Sequence, residues 1–386
     1  MSWMISYPDL DEDQKDFVDN QVNKDGNIWV QGFAGSGKSV LLIHALRVKL
    51  RDTLGAKCCI VVFTHSLRDM FSTGINELDP GNNEGLKNVP VITYHEFMKN
   101  SENYDYIFCD EVQDIPAHVL AAMKNRSKHV IVAGDSNQSI YANTVNPSEI
   151  GTIISARAFI LNRVYRLTRS IMAAVSKMMP NLDIFGARRD MTKVDVQIRL
   201  RKCKDLQDEV KYTYDIALEN AAEGDTSVIL LPFHDDIKYY IKTLCEQYGL
   251  TDFTIPNNQH GKPDYNYVNR FLNEHNIKLE YVGNNYGSFQ NAEKNRKVVM
   301  MTYHSSKGMD FRHVFLPFMN YGTRISASPE ISDETLFMVA LTRSNRNLYL
   351  TYSSTLHPLV EKFKDVCSEI SDGSLNQKES GTIFGW

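Results

Sequence analysis

Ile28-Trp29-Val30-Gln31-Gly32-Phe33-Ala34-Gly35-Ser36-Gly37-Lys38-Ser39 is the stretch from which the rest of the chain is read. Residues 28–31 are a short apolar strand, and Gly32 to Ser39 fit the pattern GxxxxGK[ST], with helical periodicity following at once. The glycines let the backbone wrap tightly, so that amide N–H groups and the helix N-terminus face an anion. The expected phosphate cradle is Gly32, Ala34, Gly35, Ser36, Gly37, Lys38 and Ser39. Lys38 would reach the β- and γ-phosphates, and the Ser39 hydroxyl would ligate Mg²⁺. The pattern implies a nucleoside triphosphate and leaves open the work done with it.

Outward from the loop, strands alternate with helices. Residues 38–51 carry Val40, Leu41, Ile43, His44, Leu46 and Leu50 at helical spacing. Residues 59–63, 106–109 and 129–133 are continuous apolar runs of the kind buried in parallel sheets. Residues 117–124 form a predicted helix with Pro116 in its first turn. Strand, polar loop, helix, strand is the βαβ pattern, which predicts a parallel sheet covered on both faces. The theme repeats, with strands predicted at 194–200, 228–231, 297–302, 312–317 and 347–352. Helices are predicted at 206–221, 234–248 and 336–342. The break between the halves falls near 165–192, where Pro180 and Gly186 interrupt the pattern. Residues 368–380 are polar and read as flexible, and the terminal Ile383, Phe384 and Trp386 form either a frayed end or a docking segment.

The bulk properties bound the class. The 386 residues suffice for two domains, and 42% hydrophobic with 23% charged residues is ordinary for a soluble globular protein. No apolar run reaches the roughly 20 residues needed to span a bilayer, and no secretory leader is recognisable, so a cytoplasmic, membrane-free protein is expected. The six cysteines form no CxxC pair, which argues against a zinc site or a disulfide framework. A net charge of −5 excludes only a wholly basic coat. Arg188, Arg189, Lys193, Arg199, Arg201, Lys202 and Lys204 cluster and fit either a nucleic-acid contact or a solvated strand face.

The run Tyr106-Ile107-Phe108-Cys109-Asp110-Glu111 places two carboxylates at the C-terminal end of a buried strand, where open α/β sheets bind ligands. Beside a phosphate loop, Asp110 is expected to hold Mg²⁺, and Glu111 to orient and deprotonate the attacking water. On its own the pair also fits two exposed acids capping the next helix.

From Glu111 the sequence continues as Asp110-Glu111-Val112-Gln113-Asp114 and then Gly134-Asp135-Ser136-Asn137-Gln138-Ser139-Ile140-Tyr141. These runs resemble the DExQD and GDxxQSIY motifs of superfamily 1 helicases of the UvrD/Rep type. Other motifs follow in order. Gln14 matches an adenine-reading glutamine. The runs 63–70 and 93–97 resemble strand-gripping segments, and Val164-Tyr165-Arg166 falls where the family has NYRS. Residues 302–311 match TxHxxKGxEF, and Val339-Ala340-Leu341-Thr342-Arg343 matches VALTR. The resemblance spans residues 10–353.

It implies an α/β fold of two tandem RecA-like domains, each a mainly parallel sheet flanked by helices, with the ATP site in the cleft between them. The domains would cover 1–165 and 166–360, with a tail at 361–386. Lys38 and Mg²⁺ would neutralise one side of the γ-phosphate, with Arg166 and Arg343 as arginine fingers on the other. Such fingers contribute roughly 10³–10⁵ in rate. Gln138 would sense the γ-phosphate. Tyr165 would stack on the adenine beside Gln14, and Gly308 and Asp310 would complete the nucleotide site. Thr64, His95, Thr302 and His304 would touch phosphate or sugar of a single strand without reading sequence. His304 equally fits a packed core histidine. The KG and QSIY forms resemble the 3′-to-5′ branch.

Three departures qualify the resemblance. Only residues 72–90 and 251–296 are available for the family's two accessory insertions, so a two-domain minimal form is expected. The Trp-Arg pair usual after QSIY is replaced by Tyr141-Ala142-Asn143-Thr144. Base stacking, worth about 1–3 kcal/mol per base, must then come from elsewhere or be missing. Val40 stands where close relatives carry an adenine-stacking arginine. Two readings follow: an ATP-driven translocase or helicase on single-stranded DNA or RNA, or a nucleotide-gated binding subunit of a nuclease or defence complex whose protein partner supplies the missing functions. A small-molecule kinase is disfavoured by Gln138, Arg166 and Arg343 in their motifs.

Overall fold

The computed structural model describes residues 3–33, 35–135, 139, 144–161, 163–164, 168–180, 182, 188–189, 194–329 and 331–370. Of the residues singled out above, Ala34, Gln138, Tyr165, Arg166 and the tail beyond 370 lie outside them, as do the side chains of Arg188, Arg189 and Lys193.

The first half forms a parallel sheet from β1 (Asn27–Gly32), β2 (Cys58–Val62), β3 (Val91–Thr93), β4 (Tyr104–Cys109), β5 (Ser127–Gly134) and β6 (Ala156–Leu161), in the spatial order β3-β2-β4-β5-β1-β6. Every pairing in it is parallel. Each residue of β2 is buried, as its unbroken apolar run requires for a strand covered on both faces. The connecting helices are α1 (Glu12–Asp16), α2 (Lys38–Asp52), α3 (His65–Leu78), α4 (Tyr94–Lys99), α5 (Ala117–Asn125) and α6 (Ile150–Ile154). Pro116 proves to be the N-cap of α5, one residue outside the helix.

A two-stranded pairing of β7 (Arg163–Val164) with β8 (Arg188–Arg189) lies between the halves. The second sheet contains β9 (Gln197–Lys202), β10 (Ser227–Leu231), β11 (Leu279–Tyr281), β12 (Val298–Thr302), β13 (Phe311–Leu316), β14 (Ser344–Tyr352) and β15 (Ser368–Ile370). Their order is β11-β12-β10-β13-β14-β9-β15, again all parallel. Its helices are α7 (Arg169–Met178), α8 (Leu206–Ala222), α9 (His234–Gln247), α10 (Tyr265–Glu274), α11 (Phe289–Lys294), α12 (Asp333–Leu341) and α13 (Pro358–Glu361). Each sheet buries an apolar cluster on both faces. The fold is that of two tandem RecA-like domains.

Two stretches behave differently from expectation. Residues 251–296, read as room for an insertion, supply α10, the edge strand β11 and α11, with Tyr265, Val268, Leu272 and Leu279 inside the second core. Residues 368–370, read as flexible, pair with β9 as a further edge strand. Both strands are three residues long, too short for a period-two pattern to stand out. Residues 72–90 finish α3 and then form a loop whose turn is held by Asp79 accepting from the amides of Asn83 (2.7 Å) and Glu84 (3.0 Å). Of the basic cluster, Arg201 is buried with its guanidinium 4.0 Å from the Tyr212 ring centre, and Arg199 lies over Tyr349. These two pack on their own domain. All six cysteines are free, and no described helix is long and apolar enough to cross a membrane.

Candidate functional site at the junction of the two sheets

The loop after β1 turns through Gly35 and Gly37, both at positive φ (+77° and +85°), which a side chain would resist. Its lysine folds back: Lys38 Nζ donates to the carbonyls of Gly32 (2.8 Å) and Phe33 (2.9 Å) and is buried. Gln14 is held against this loop. Asp11 and Gln14 form a capping box at the start of α1, and Gln14 Nε2 donates to the Ser36 carbonyl at 3.3 Å. The Ser36 hydroxyl is buried without a partner among the described residues.

β5 runs between β1 and β4, so its end, Gly134-Asp135, comes between the loop and the acidic pair. Ser39 Oγ donates to Asp110 Oδ2 at 2.5 Å, which joins the first turn of α2 to the end of β4. Glu111 then adopts φ +50°, a left-handed conformation uncommon for a residue with a side chain and frequent at functional sites. The neighbours hold it there. Gln113 Nε2 donates to Glu111 Oε2 at 2.5 Å, and Gln113 Oε1 accepts from the Asp135 amide at 3.1 Å. This close approach depends on Gly134, where any Cβ would overlap Gln113 Oε1.

The two carboxylates are driven in opposite directions. Burial pushes the Asp110 carboxyl up, and the charge of Glu111 adds to that. Burial pushes Glu111 up as well, but Lys307, Lys38, the Gln113 hydrogen bond and Arg343 together outweigh it and hold the group below the ordinary glutamate value. That direction favours the ionised form of Glu111 in a buried setting. Two of those cations come from the second half of the chain. Lys307 Nζ pairs with Asp114 Oδ2 at 2.5 Å, both side chains almost wholly buried. Gly308, at φ +81°, lies against Leu67 of α3, and a Cβ there would stand 3.5 Å from Glu111 Oε1. Phe33 of the phosphate loop packs on the core of the second sheet.

Arg343 is 1% exposed, with its guanidinium bonded to the carbonyls of Val339 (2.7 Å) and Met309 (3.1 Å) and to Thr342 Oγ1 (2.9 Å). Asp310 stands exposed just before β13. Of the residues expected to meet a strand, Thr64 caps α3 by accepting from the Leu67 amide. Thr302 is buried, its hydroxyl joined to Ser305. His304 is half-buried, and its imidazole is driven down by that burial and by Lys307. His95 is exposed. Lys307, Asp114 and Gln113 each lie inside a quoted motif, but the motif letters do not show what they touch. Their pairing is a tertiary fact.

The donor set suits magnesium. Ser39 and Asp110 offer two hard oxygens side by side, and the repulsion between Asp110 and Glu111 is what a divalent cation relieves. Among the described residues no group of three His, Cys, Asp or Glu gathers. Magnesium does not need one, because it is commonly held by one or two carboxylates together with water and phosphate.

The chain matches the viral superfamily 1 RNA helicase core domain over residues 28–252 and the UvrD-like helicase C-terminal domain over residues 274–355. No curated protein matches it. Two solved structures are similar to it. The helicase of PRRSV is 13% identical, with a TM-score of 0.45, covering 85% of this chain and 52% of that one. The Arterivirus nonstructural protein 10 helicase in complex with DNA is 15% identical, with a TM-score of 0.45, covering 88% of this chain and 63% of that one. The chain thus spans between half and two thirds of their length. With the first match running over more than half of its residues and the second completing the motif order, the chain belongs to the superfamily 1 helicases, as a viral-type core domain followed by a UvrD-like C-terminal domain.

Proposed function

We propose that the chain hydrolyses ATP at this junction and uses the cycle to move 3′-to-5′ along single-stranded DNA, as a minimal helicase of the UvrD/Rep type. The observation that carries the reading is the surroundings of Glu111. Its charge is maintained by Lys38 from the first sheet and by Lys307 and Arg343 from the second. A carboxylate whose buried charge is offset by cations of both sheets has its surroundings set by how the sheets stand, which is the condition for coupling hydrolysis to movement.

In this scheme the loop amides and Lys38 hold the phosphates, and Gln14 sets the edge of the adenine site. Ser39 and Asp110 would hold Mg²⁺, which supplies charge neutralisation at the β- and γ-phosphates. Glu111 takes the proton of the attacking water, and Gln113 keeps its carboxylate aimed. Arg343 leaves its carbonyl partners for the developing charge when the sheets close, joined by Arg166, while Gln138 senses the γ-phosphate. Tyr165 stacks on the base, and Gly308 and Asp310 line the ribose side. The strand runs across Thr64 and His95 of one domain and Thr302 and His304 of the other.

Steady-state ATP hydrolysis with and without single-stranded DNA or RNA tests this. Strong stimulation is expected, greater with DNA, and Glu111→Gln should cost about 10²–10⁴ in rate. ATP-driven displacement of streptavidin from a 5′-biotinylated strand, but not from a 3′-biotinylated one, is the expected mark of direction. Turnover indifferent to either strand overturns the motor and leaves a nucleotide-gated binding subunit.

A further inference from the structure

Tyr281 ends the edge strand β11 of the second sheet and is wholly buried. Its ring lies on that of Tyr265, the first residue of α10, with centres 3.7 Å and planes 17° apart. The Tyr265 hydroxyl meets His234 Nδ1 at 2.9 Å. The Tyr281 hydroxyl has no hydrogen-bond partner among the described residues. The backbone that carries it is fixed, because Asn269 of α10 accepts from the Tyr281 amide at 2.8 Å and donates to its carbonyl at 2.9 Å. A buried hydroxyl left in this state is costly, and rare enough in folded proteins to call for an explanation.

The space beside it leads to Ser305. A Cβ on Gly283 would stand 3.0 Å from Tyr281 Oη and 3.1 Å from Ser305 Oγ, so the two hydroxyls flank the same glycine. Ser305 Oγ is already supplied: the Thr302 hydroxyl donates to it at 2.9 Å, while the Ser305 amide donates to Thr302 Oγ1 at 3.1 Å. Two residues further on, Lys307 pairs with Asp114 of the first sheet. The loop thus starts at an exchangeable hydroxyl contact and ends at the ion pair between the sheets.

We propose that Tyr281 is a positioning residue for this loop, its hydroxyl replacing that of Thr302 as the donor to Ser305 when a phosphate of a bound strand accepts the Thr302 hydrogen bond. This rests on the strand contact given to Thr302 above. The hydrogen-bond count carries it. In the free protein Tyr281 has a donor to spare. With Thr302 turned to phosphate, Ser305 loses its donor, and Tyr281 supplies another from across Gly283. The Ser305 amide keeps its bond to Thr302 Oγ1 throughout, since a hydroxyl accepts while it donates. The Tyr281 hydroxyl is satisfied only in the strand-bound arrangement, so part of the strand's affinity is relief of a cost held in the free protein. The exchange also ties Ser305, and through it Lys307, to β11.

Tyr281→Phe keeps the ring stack and removes the hydroxyl. The free variant should unfold at the same temperature as the unaltered protein or higher, since no satisfied bond has been lost. Binding of a fluorescent thymidine oligonucleotide should weaken about 3- to 10-fold, the worth of one hydrogen bond. The strand concentration giving half-maximal ATP turnover should rise by the same factor. Ser305→Ala removes the acceptor, and adding Tyr281→Phe to it should bring no further loss of strand binding. A lower unfolding temperature for the free Tyr281→Phe protein would show a hydroxyl already partnered and overturn the proposal. Losses that add in the double variant would overturn it too. Unchanged strand binding by Tyr281→Phe, with the unaltered protein binding normally, would overturn it while leaving the motor intact. If the unaltered protein binds no strand and its ATP turnover ignores strands, the strand-binding reading fails and the exchange with it.

Discussion

At the residue scale, Glu111 holds an unfavourable backbone conformation and an unfavourable buried charge at once. Its neighbours offset these costs. Lys307 and Lys38 maintain the charge, and Gln113 ties the carboxylate to the Asp135 amide. Gly134 makes the tie possible, because a Cβ there would overlap Gln113 Oε1 and lie 2.8 Å from Val112 Cγ1. Gly134→Ala should therefore displace Gln113. Overpacking of this kind costs about 1–3 kcal/mol of stability, and turnover should fall with it, by about tenfold for each 1.4 kcal/mol lost in the transition state. Gln113→Ala should reduce turnover comparably, and the double variant no further, since residues acting as one unit are not additive. An additive double variant would show that Gly134 acts some other way. The acidic pair and the glycine before Asp135 are visible in the sequence as motif letters. That Gln113 is the link between them is visible only once β4 and β5 lie side by side.

At the element scale, the second sheet shows how a buried polar residue organises a loop. Glu209 on α8 is fully buried and accepts from three donors: the Phe318 amide (2.8 Å), Asn320 Nδ2 (3.2 Å) and Thr351 Oγ1 (2.7 Å). It thereby pins the loop after β13, where Phe318 sits at φ +64°, an outlying conformation for a bulky residue. Glu209→Ala leaves two donors, the Phe318 amide and the Thr351 hydroxyl, buried without this acceptor, and takes one from the half-buried Asn320. A stability loss of about 3 kcal/mol or more is expected in urea unfolding, from 1–3 kcal/mol for each unsatisfied group. A loss under ~1 kcal/mol would mean that water replaces the carboxylate. The long apolar strands were legible in advance because parallel pairing buries both faces: every residue of β2, β10 and β12 is buried. The edge strands β11 and β15 were not. Three residues carry no period, and what makes them strands is the neighbour they pair with. The helix at 206–221 could be seen from its spacing, but nothing in that spacing distinguishes Glu209 from an exposed glutamate.

At the scale of the whole molecule, the two sheets meet through a buried ion pair, Lys307 with Asp114, 193 positions apart in the chain. A buried pair is weak evidence for net stability, because both ions lose their hydration, yet removing one partner typically costs 3–5 kcal/mol. Lys307→Met alone should thus be strongly destabilising, as Asp114 is left charged in a dry setting. Combining it with Asp114→Asn removes both charges, and most of the stability should return. Activity separates two roles for the pair. If Lys307 serves only to neutralise Asp114, the double variant regains strand-stimulated ATP turnover along with its stability. If Lys307 also carries the position of the second sheet to Glu111, which it faces together with Lys38 and Arg343, the double variant regains stability but not stimulation. We expect the second outcome. A change in the spacing of the sheets moves Lys307 and Gly308 relative to Glu111 directly, and neither of the uncharged replacement side chains in the double variant can restore the field of the lost ammonium. Thermal unfolding and strand-stimulated hydrolysis, measured on the two single variants and the double, decide between these roles.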